Sequence, residues 1–133
     1  MEPKPYMLEV VAPVFPVTDI KRSLAYYTEK LLFTVGFEWA DTPEEDIRYA
    51  ILQSGNCELH LRYRETPHPT VAYVFVDGVK DYYEAVKTRH ATITGEIDDH
   101  PWEMREFEVT DPDGNRLIFG EHLSRLNDPK GDG

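Results

Sequence analysis

Apolar and polar positions follow two rhythms along this chain, and the rhythms alternate in the same order twice. Residues 8–17 form an apolar run broken by Pro13 and Pro16. Proline cannot donate a ladder hydrogen bond, so the run predicts a strand at a sheet edge or at a junction between sheets. Thr18 and Asp19 supply N-cap oxygens, and Ile20, Leu24, Tyr27 and Leu31 then recur at helical spacing, which predicts an amphipathic helix ending near Leu32. Three strand-like runs follow, Thr34–Trp39, 47–53 and Cys57–Tyr63, separated by an acidic loop at 41–46 and by the turn Ser54-Gly55-Asn56. The order is β-α-β-β-β.

After a linker at 65–69 the pattern restarts. Residues 71–76 read as a strand, and Val79, Tyr83 and Val86 lie on one face of a second helix. Strands at 91–97, 106–109 and 116–119 complete the second unit, the last two joined by the turn Asp111-Pro112-Asp113-Gly114. A shift of 59 residues places Val17 on Val76, Ile20 on Val79, Lys21 on Lys80 and Leu24 on Tyr83. The duplication predicts an α+β fold of two tandem βαβββ modules, 8–65 and 70–123, within a single domain, with a tail at 124–133. Two small curved mixed sheets, each backed by a helix, are expected to form a concave cleft where function resides.

The chain has 133 residues with 14 Lys+Arg against 25 Asp+Glu, a formal charge of −11, and its 41% hydrophobic content is that of a folded domain. Such acidity disfavours nucleic acid and anionic membranes and favours cationic partners. The single cysteine, Cys57, leaves no intrachain disulfide and suits a reducing compartment. With neither a signal peptide nor a long apolar span in the sequence, a cytoplasmic location is expected.

The opening Phe15-Pro16-Val17-Thr18-Asp19-Ile20, the helical Ala25-Tyr26-Tyr27 and the closing Asp111-Pro112-Asp113-Gly114-Asn115 resemble the vicinal oxygen chelate superfamily, which includes glyoxalase I, extradiol dioxygenases, and fosfomycin- and bleomycin-resistance proteins. The resemblance covers residues 8–123. The segment from Thr70 to Val76 and the segment Pro101-Trp102-Glu103-Met104-Arg105-Glu106-Phe107 look most like the bleomycin-resistance branch, although Glu103 stands where that branch usually has glycine, and one further residue precedes Arg105.

The superfamily's metal centre, carried over residue by residue, falls on Ala12, Glu58, Val71 and Ile118. Three of these four lack a donor atom. The resemblance therefore implies a cleft without a metal or other cofactor. Glu58 and His60 share one face of a strand and offer only two ligands between them. His68, His90, His100 and His122 read as surface residues, and Cys57 should point toward the helix side as a small buried hydrophobe.

If Val71 faces the cleft, so do Tyr73 and Phe75. Phe37, Trp39 and Trp102 lie on segments that border the ligand groove between two subunits in bleomycin-resistance proteins. With Glu58, His60 and Ile118 they complete the expected ligand-binding set. Flat aromatic walls suit planar heteroaromatic groups and cations. Two acidic clusters, Asp41, Glu44, Glu45 and Asp46, and Glu96, Asp98 and Asp99, are read as loops rimming the groove.

The resemblance further implies a homodimer with an exchanged N-terminal strand. The resulting expectation is a metal-free protein that sequesters an aromatic, cationic small molecule such as a bleomycin-type antibiotic. A divergent metal-dependent lyase or dioxygenase, and a binder of an unrelated aromatic metabolite, are the alternatives.

Overall fold

A computed structural model describes residue 2 and residues 4–126; the expected tail at 124–133 lies outside the described residues from 127 onward. The elements in chain order are β1 (Val14–Val17), α1 (Ile20–Glu29), β2 (Thr34–Trp39), β3 (Tyr49–Ser54), β4 (Cys57–Tyr63), β5 (Val71–Phe75), α2 (Val79–Thr88), β6 (Ile93–His100), β7 (Met104–Thr110) and β8 (Arg116–His122), followed by a short 3-10 turn, Leu123–Arg125. They build two four-stranded sheets, ordered β1-β4-β3-β2 and β5-β8-β7-β6. In each sheet one edge strand, β1 or β5, pairs parallel and the remaining pairs are antiparallel. The two helices start 59 residues apart, at Ile20 and Val79.

Three of the differences from the sequence expectation bear on the site. β1 is only Val14–Val17, not the whole of 8–17. Its register sets Val14 against His60, so the residue opposite Val11 would be Cys57, where β4 begins, and residues 8–10 have no strand to pair with. Met7, Leu8 and Val11 are accordingly 81%, 89% and 91% exposed. Glu96, Asp98 and Asp99 lie within β6 rather than in a loop. Neighbouring elements hold two of them: Glu96 accepts from the Tyr83 hydroxyl of α2, and Asp99 pairs with Arg105 of β7 at 2.8 Å. β8 extends to His122, three residues beyond the expected strand end at 119.

One apolar core serves both modules. Phe15, Tyr27 and Leu61 of the first and Val86, Phe107 and Phe119 of the second belong to a single buried cluster. The helices bury the predicted stripes, Ile20, Leu24 and Tyr27 in α1 and Val79, Tyr83 and Val86 in α2.

Polar contacts also cross between modules on this side. Tyr26 donates to the Thr110 carbonyl at 3.2 Å, and Tyr82 donates to the Leu31 carbonyl at 2.7 Å. The turn after β7 acts as a staple. The buried Asp111 carboxylate accepts from the Tyr27 hydroxyl at 2.9 Å, the Asn115 side chain at 3.0 Å and the amides of Asp113 and Asn115, while Asn115 donates onward to the Pro16 carbonyl. Gly114, at φ 89°, supplies the left-handed residue this turn needs. The motif that first drew attention as a signature therefore holds the two modules together. The opposite faces of both sheets stay open.

Candidate functional site

The expected ligand-binding residues fall on those open faces, in two sets. On the first sheet, β2 sets Phe37 against Ile51 and Trp39 against Tyr49, and β4 sets His60 against Ile51 and Arg62 against Tyr49. Side chains alternate across a strand, so Leu52, Leu59 and Leu61 enter the core while Tyr49, Ile51, Glu58, His60 and Arg62 share the open face. Phe37 and Trp39 are 49% and 46% exposed.

His60 is held at both ring nitrogens, with Nε2 2.8 Å from Glu58 and Nδ1 2.6 Å from the Tyr49 hydroxyl. An ionised carboxylate only accepts, so Nε2 carries the proton toward Glu58, and in the neutral ring Nδ1 accepts from Tyr49. The result is a fixed Tyr49-His60-Glu58 chain across two strands.

On the second sheet Val71, Tyr73 and Phe75 share the open face, whereas Ala72 and Val74 pack on the core. Tyr73 and Phe75 are therefore site-face residues, with rings 5.1 Å apart. Ile118 lies beside Tyr73 in the ladder, and His122 stacks on Phe75 at 6.0 Å. Trp102 occupies the β6–β7 turn, stacked on His100 at 4.5 Å. Glu103 has φ 67°, a conformation that favours glycine, and its amide closes the turn onto the His100 carbonyl.

Glu106 organises this face. It is only 8% exposed and accepts from the Tyr73 hydroxyl at 2.6 Å and from Trp102 Nε1 at 2.8 Å, with His100 Nε2 at 3.9 Å. Desolvation, with the hydrogen bond to Glu106 next, pushes the Tyr73 hydroxyl well above the ordinary tyrosine range. Gly120 stands beneath this bond, since a Cβ there would overlap the Tyr73 hydroxyl. Farther along, Glu108 pairs with Arg116 at 3.1 Å.

Of the second acidic cluster, only Asp98 is opposite Glu106 in the ladder; Asp99 is opposite the buried Arg105, and Glu96 bonds to α2. Glu106 and Glu108, joined by Asp98 alone of that cluster, place negative charge on the second face. The alternation of Glu106 and Glu108 with Phe107 and Val109 carries the signal in the sequence. Tyr49 and Arg62 are likewise legible only through their two-residue spacing from Ile51 and His60.

The donor set does not fit a metal. Ala12, Val71 and Ile118 carry no ligating atom, and Glu58 and His60 are already engaged with each other and with Tyr49. No group of three or more His, Cys, Asp or Glu suited to a metal occurs among the described residues. Cys57 is partly buried against the core, and burial pushes its thiol up, away from the thiolate a nucleophile needs. No helix among the described residues is long and apolar enough to cross a membrane.

Paired βαβββ modules with open aromatic sheet faces define a class of small-molecule clefts, used both for binding and for catalysis. The chain belongs to the Glyoxalase/Bleomycin resistance protein/Dioxygenase superfamily, whose family model matches residues 9–119. It is 28% identical over 134 residues to a bleomycin resistance protein of Geobacillus stearothermophilus, covering 84% of this chain and 95% of that one, and equally so to one of Staphylococcus aureus. Among solved structures it resembles a glyoxalase-related enzyme from Clostridium phytofermentans (TM-score 0.75, 23% identity, 90% of this chain and 99% of that one). It also resembles a bleomycin-binding protein complexed with bleomycin (TM-score 0.69, 20% identity, 86% and 99%). At those identities the structures share a fold, which alone does not choose between binding and catalysis.

Proposed function

We propose that this protein is a metal-free binder of the bleomycin-resistance type, which sequesters a flat aromatic, cationic small molecule in a groove formed between two copies of the chain. The observation that carries the reading is the Glu106 centre. One nearly buried carboxylate fixes both Tyr73 and Trp102, so the aromatic surfaces are held in place before a ligand arrives while their ring faces stay exposed. Glu106, Glu108 and Glu58 set negative charge beside aromatic rings, which favours a cation.

Exposure supports a second copy. Tyr6, Met7, Leu8, Val10 and Val11 form an apolar stretch leading into β1, each more than 60% exposed, and Phe37, Trp39, Tyr73 and Phe75 leave both sheet faces uncovered. An N-terminal segment exchanged between copies, with the first sheet of one facing the second sheet of the other, covers both surfaces. The single partly buried cysteine suits a reducing cytoplasm. The unsuitable donor set disfavours the alternative of a metal-dependent lyase or dioxygenase.

Titration of tryptophan fluorescence with bleomycin tests the proposal. Saturable quenching at micromolar drug, lost in Trp102→Ala, together with twice the chain mass by light scattering, is the expected result. Absence of saturable quenching overturns bleomycin-type binding, and a monomeric mass overturns the shared groove.

A further inference from the structure

The outer end of the first sheet has a polarity opposite to that of the Glu106 centre. A cavity of about 480 Å³ there is walled by Phe37, Trp39, Tyr49 and Tyr63 and by Arg48, Arg62 and Arg64. All seven come from one module, so a single chain supplies the whole cavity. In a chain with 14 Lys+Arg against 25 Asp+Glu, three arginines around one aromatic cavity run against the overall charge.

These arginines are also poorly matched with carboxylates. Arg48 is 52% exposed and reaches Asp41 only at 3.9 Å, lying instead 4.9 Å over the Tyr63 ring. Arg64 makes a 3.4 Å bond to the Tyr63 carbonyl, and Arg62 has no ion pair among the described residues. Most arginines elsewhere are paired more closely, Arg22 with Asp113 at 3.2 Å, Arg105 with Asp99 at 2.8 Å and Arg116 with Glu108 at 3.1 Å, although Arg89 meets only the Glu29 carbonyl.

A guanidinium fork matches a carboxylate in bidentate fashion and is weakly hydrated, so guanidinium groups beside exposed rings form a receptor for an aromatic anion. The geometry points to a subsite for a planar aromatic carboxylate, its ring on Phe37 and Trp39 and its acid group on Arg62 and Arg64, which share the open face by their two-residue spacing, while Arg48 lies on the Tyr63 side. This subsite rests on reading the open sheet face as a ligand floor, and it narrows the ligand class. A cationic group would meet Glu106 and Glu108 on the second sheet, while an acid group on the same molecule would meet the arginines on the first.

Isothermal titration of the full chain with quinoline-2-carboxylate and, separately, with quinoline-2-carboxamide tests the subsite. The acid should bind at one site per chain and about tenfold more tightly than the amide, with an affinity that falls as salt is raised. Arg62→Gln and Arg64→Gln should each remove most of that preference. Far-UV circular dichroism checks their folding, and the exposed Arg64 carries the test should Arg62→Gln unfold.

Equal affinity for acid and amide, or an acid preference unchanged in the folded variants, overturns the subsite. Bleomycin titrated in parallel into the unsubstituted chain separates the two readings. Saturation by bleomycin with no acid preference sinks the subsite alone, whereas arginine-dependent acid binding with no response to bleomycin sinks the sequestration reading alone.

Discussion

The open faces of the two sheets can be laid over each other through their registers. Val14 pairs with His60 in the first as Tyr73 pairs with Ile118 in the second, and Tyr49 is opposite Arg62 as Glu106 is opposite Gly120. The buried faces agree in kind: Leu59 and Leu61 on β4 match Leu117 and Phe119 on β8. On the open faces the side chains change character at these positions. The first sheet has its tyrosine on β3 and an arginine beside it; the second has its tyrosine on β5, reaching across a glycine to a glutamate. Core packing constrains one face of each sheet, and the other was left to acquire separate chemistry. Glu58 and Arg116 also correspond, as do His60 and Ile118, so the second sheet has no counterpart of the Glu58–His60 pair.

The turns that close the two modules differ most, and there the largest effect is expected. Asp111 is buried and accepts four hydrogen bonds, two of them from groups that tie the modules together, whereas Ser54, Gly55 and Asn56 in the matching turn are exposed. Asp111→Ala leaves those buried donors without a partner and should cost about 3 kcal/mol in urea unfolding. Asn56→Ala should stay within about 0.5 kcal/mol. Equal costs would show that the staple does not hold the modules.

The matched positions Arg62 and Gly120 come next. Gly120→Ala forces a Cβ into the Tyr73 hydroxyl, so the Tyr73–Glu106 bond breaks or the strands separate, with a cost of about 2 kcal/mol. Arg62→Ala removes an exposed side chain and should change stability by less than about 0.5 kcal/mol. The same pair of variants measured for bleomycin binding asks whether Tyr73 must be held: loss in Gly120→Ala with the fold intact supports a preset aromatic wall.

The helix starts give a smaller contrast. Asp19 caps α1 locally, its carboxylate accepting from the Arg22 amide at 3.1 Å. Gly78, 59 residues later, has no side chain to offer, and Glu121 on β8 accepts from the Gly78 and Val79 amides at 3.1 and 3.0 Å instead. Asp19→Ala should cost about 1 kcal/mol. Glu121→Ala should cost somewhat more, about 1.5 kcal/mol, because it also strands a buried helix end.

This exchange of a local cap for a distant one marks the limit of what could be read from the sequence. The two β-α-β-β-β units, both helical stripes and the shared face of Glu58 and His60 follow from periodicity, which depends on near neighbours. The Glu106 centre and the Asp111 staple depend on residues brought together by the sheet registers. Residues 8–10 fall outside β1 because they run past the end of β4 at Cys57, a fact set by pairing rather than by the apolar run itself. The acidic residues at 96–99 read as a loop because the partners of Glu96 and Asp99, Tyr83 and Arg105, lie on other elements.

The smallest expected effect concerns alkaline pH and singles out the second sheet, because its β5 tyrosine corresponds to the non-titrating Val14 on β1. In the unfolded chain Tyr73 ionises near the ordinary tyrosine value of about 10. In the fold, desolvation and the bond to Glu106 hold its proton to well above that. Below the unfolded value both states are protonated and its full contribution is present. As pH rises past it, the unfolded state loses the proton first and is favoured, so stability falls. Tyr27, held up mainly by burial and then by Asp111, adds to the same fall. Tyr73→Phe should therefore be less stable than the parent chain at pH 8 by about 1 kcal/mol, the hydrogen bond lost, yet decline less steeply above pH 10. Urea midpoints collected across that range decide it: parallel declines for the two chains would mean that Glu106 does not restrain the Tyr73 proton, and the preset wall would lose its electrostatic support.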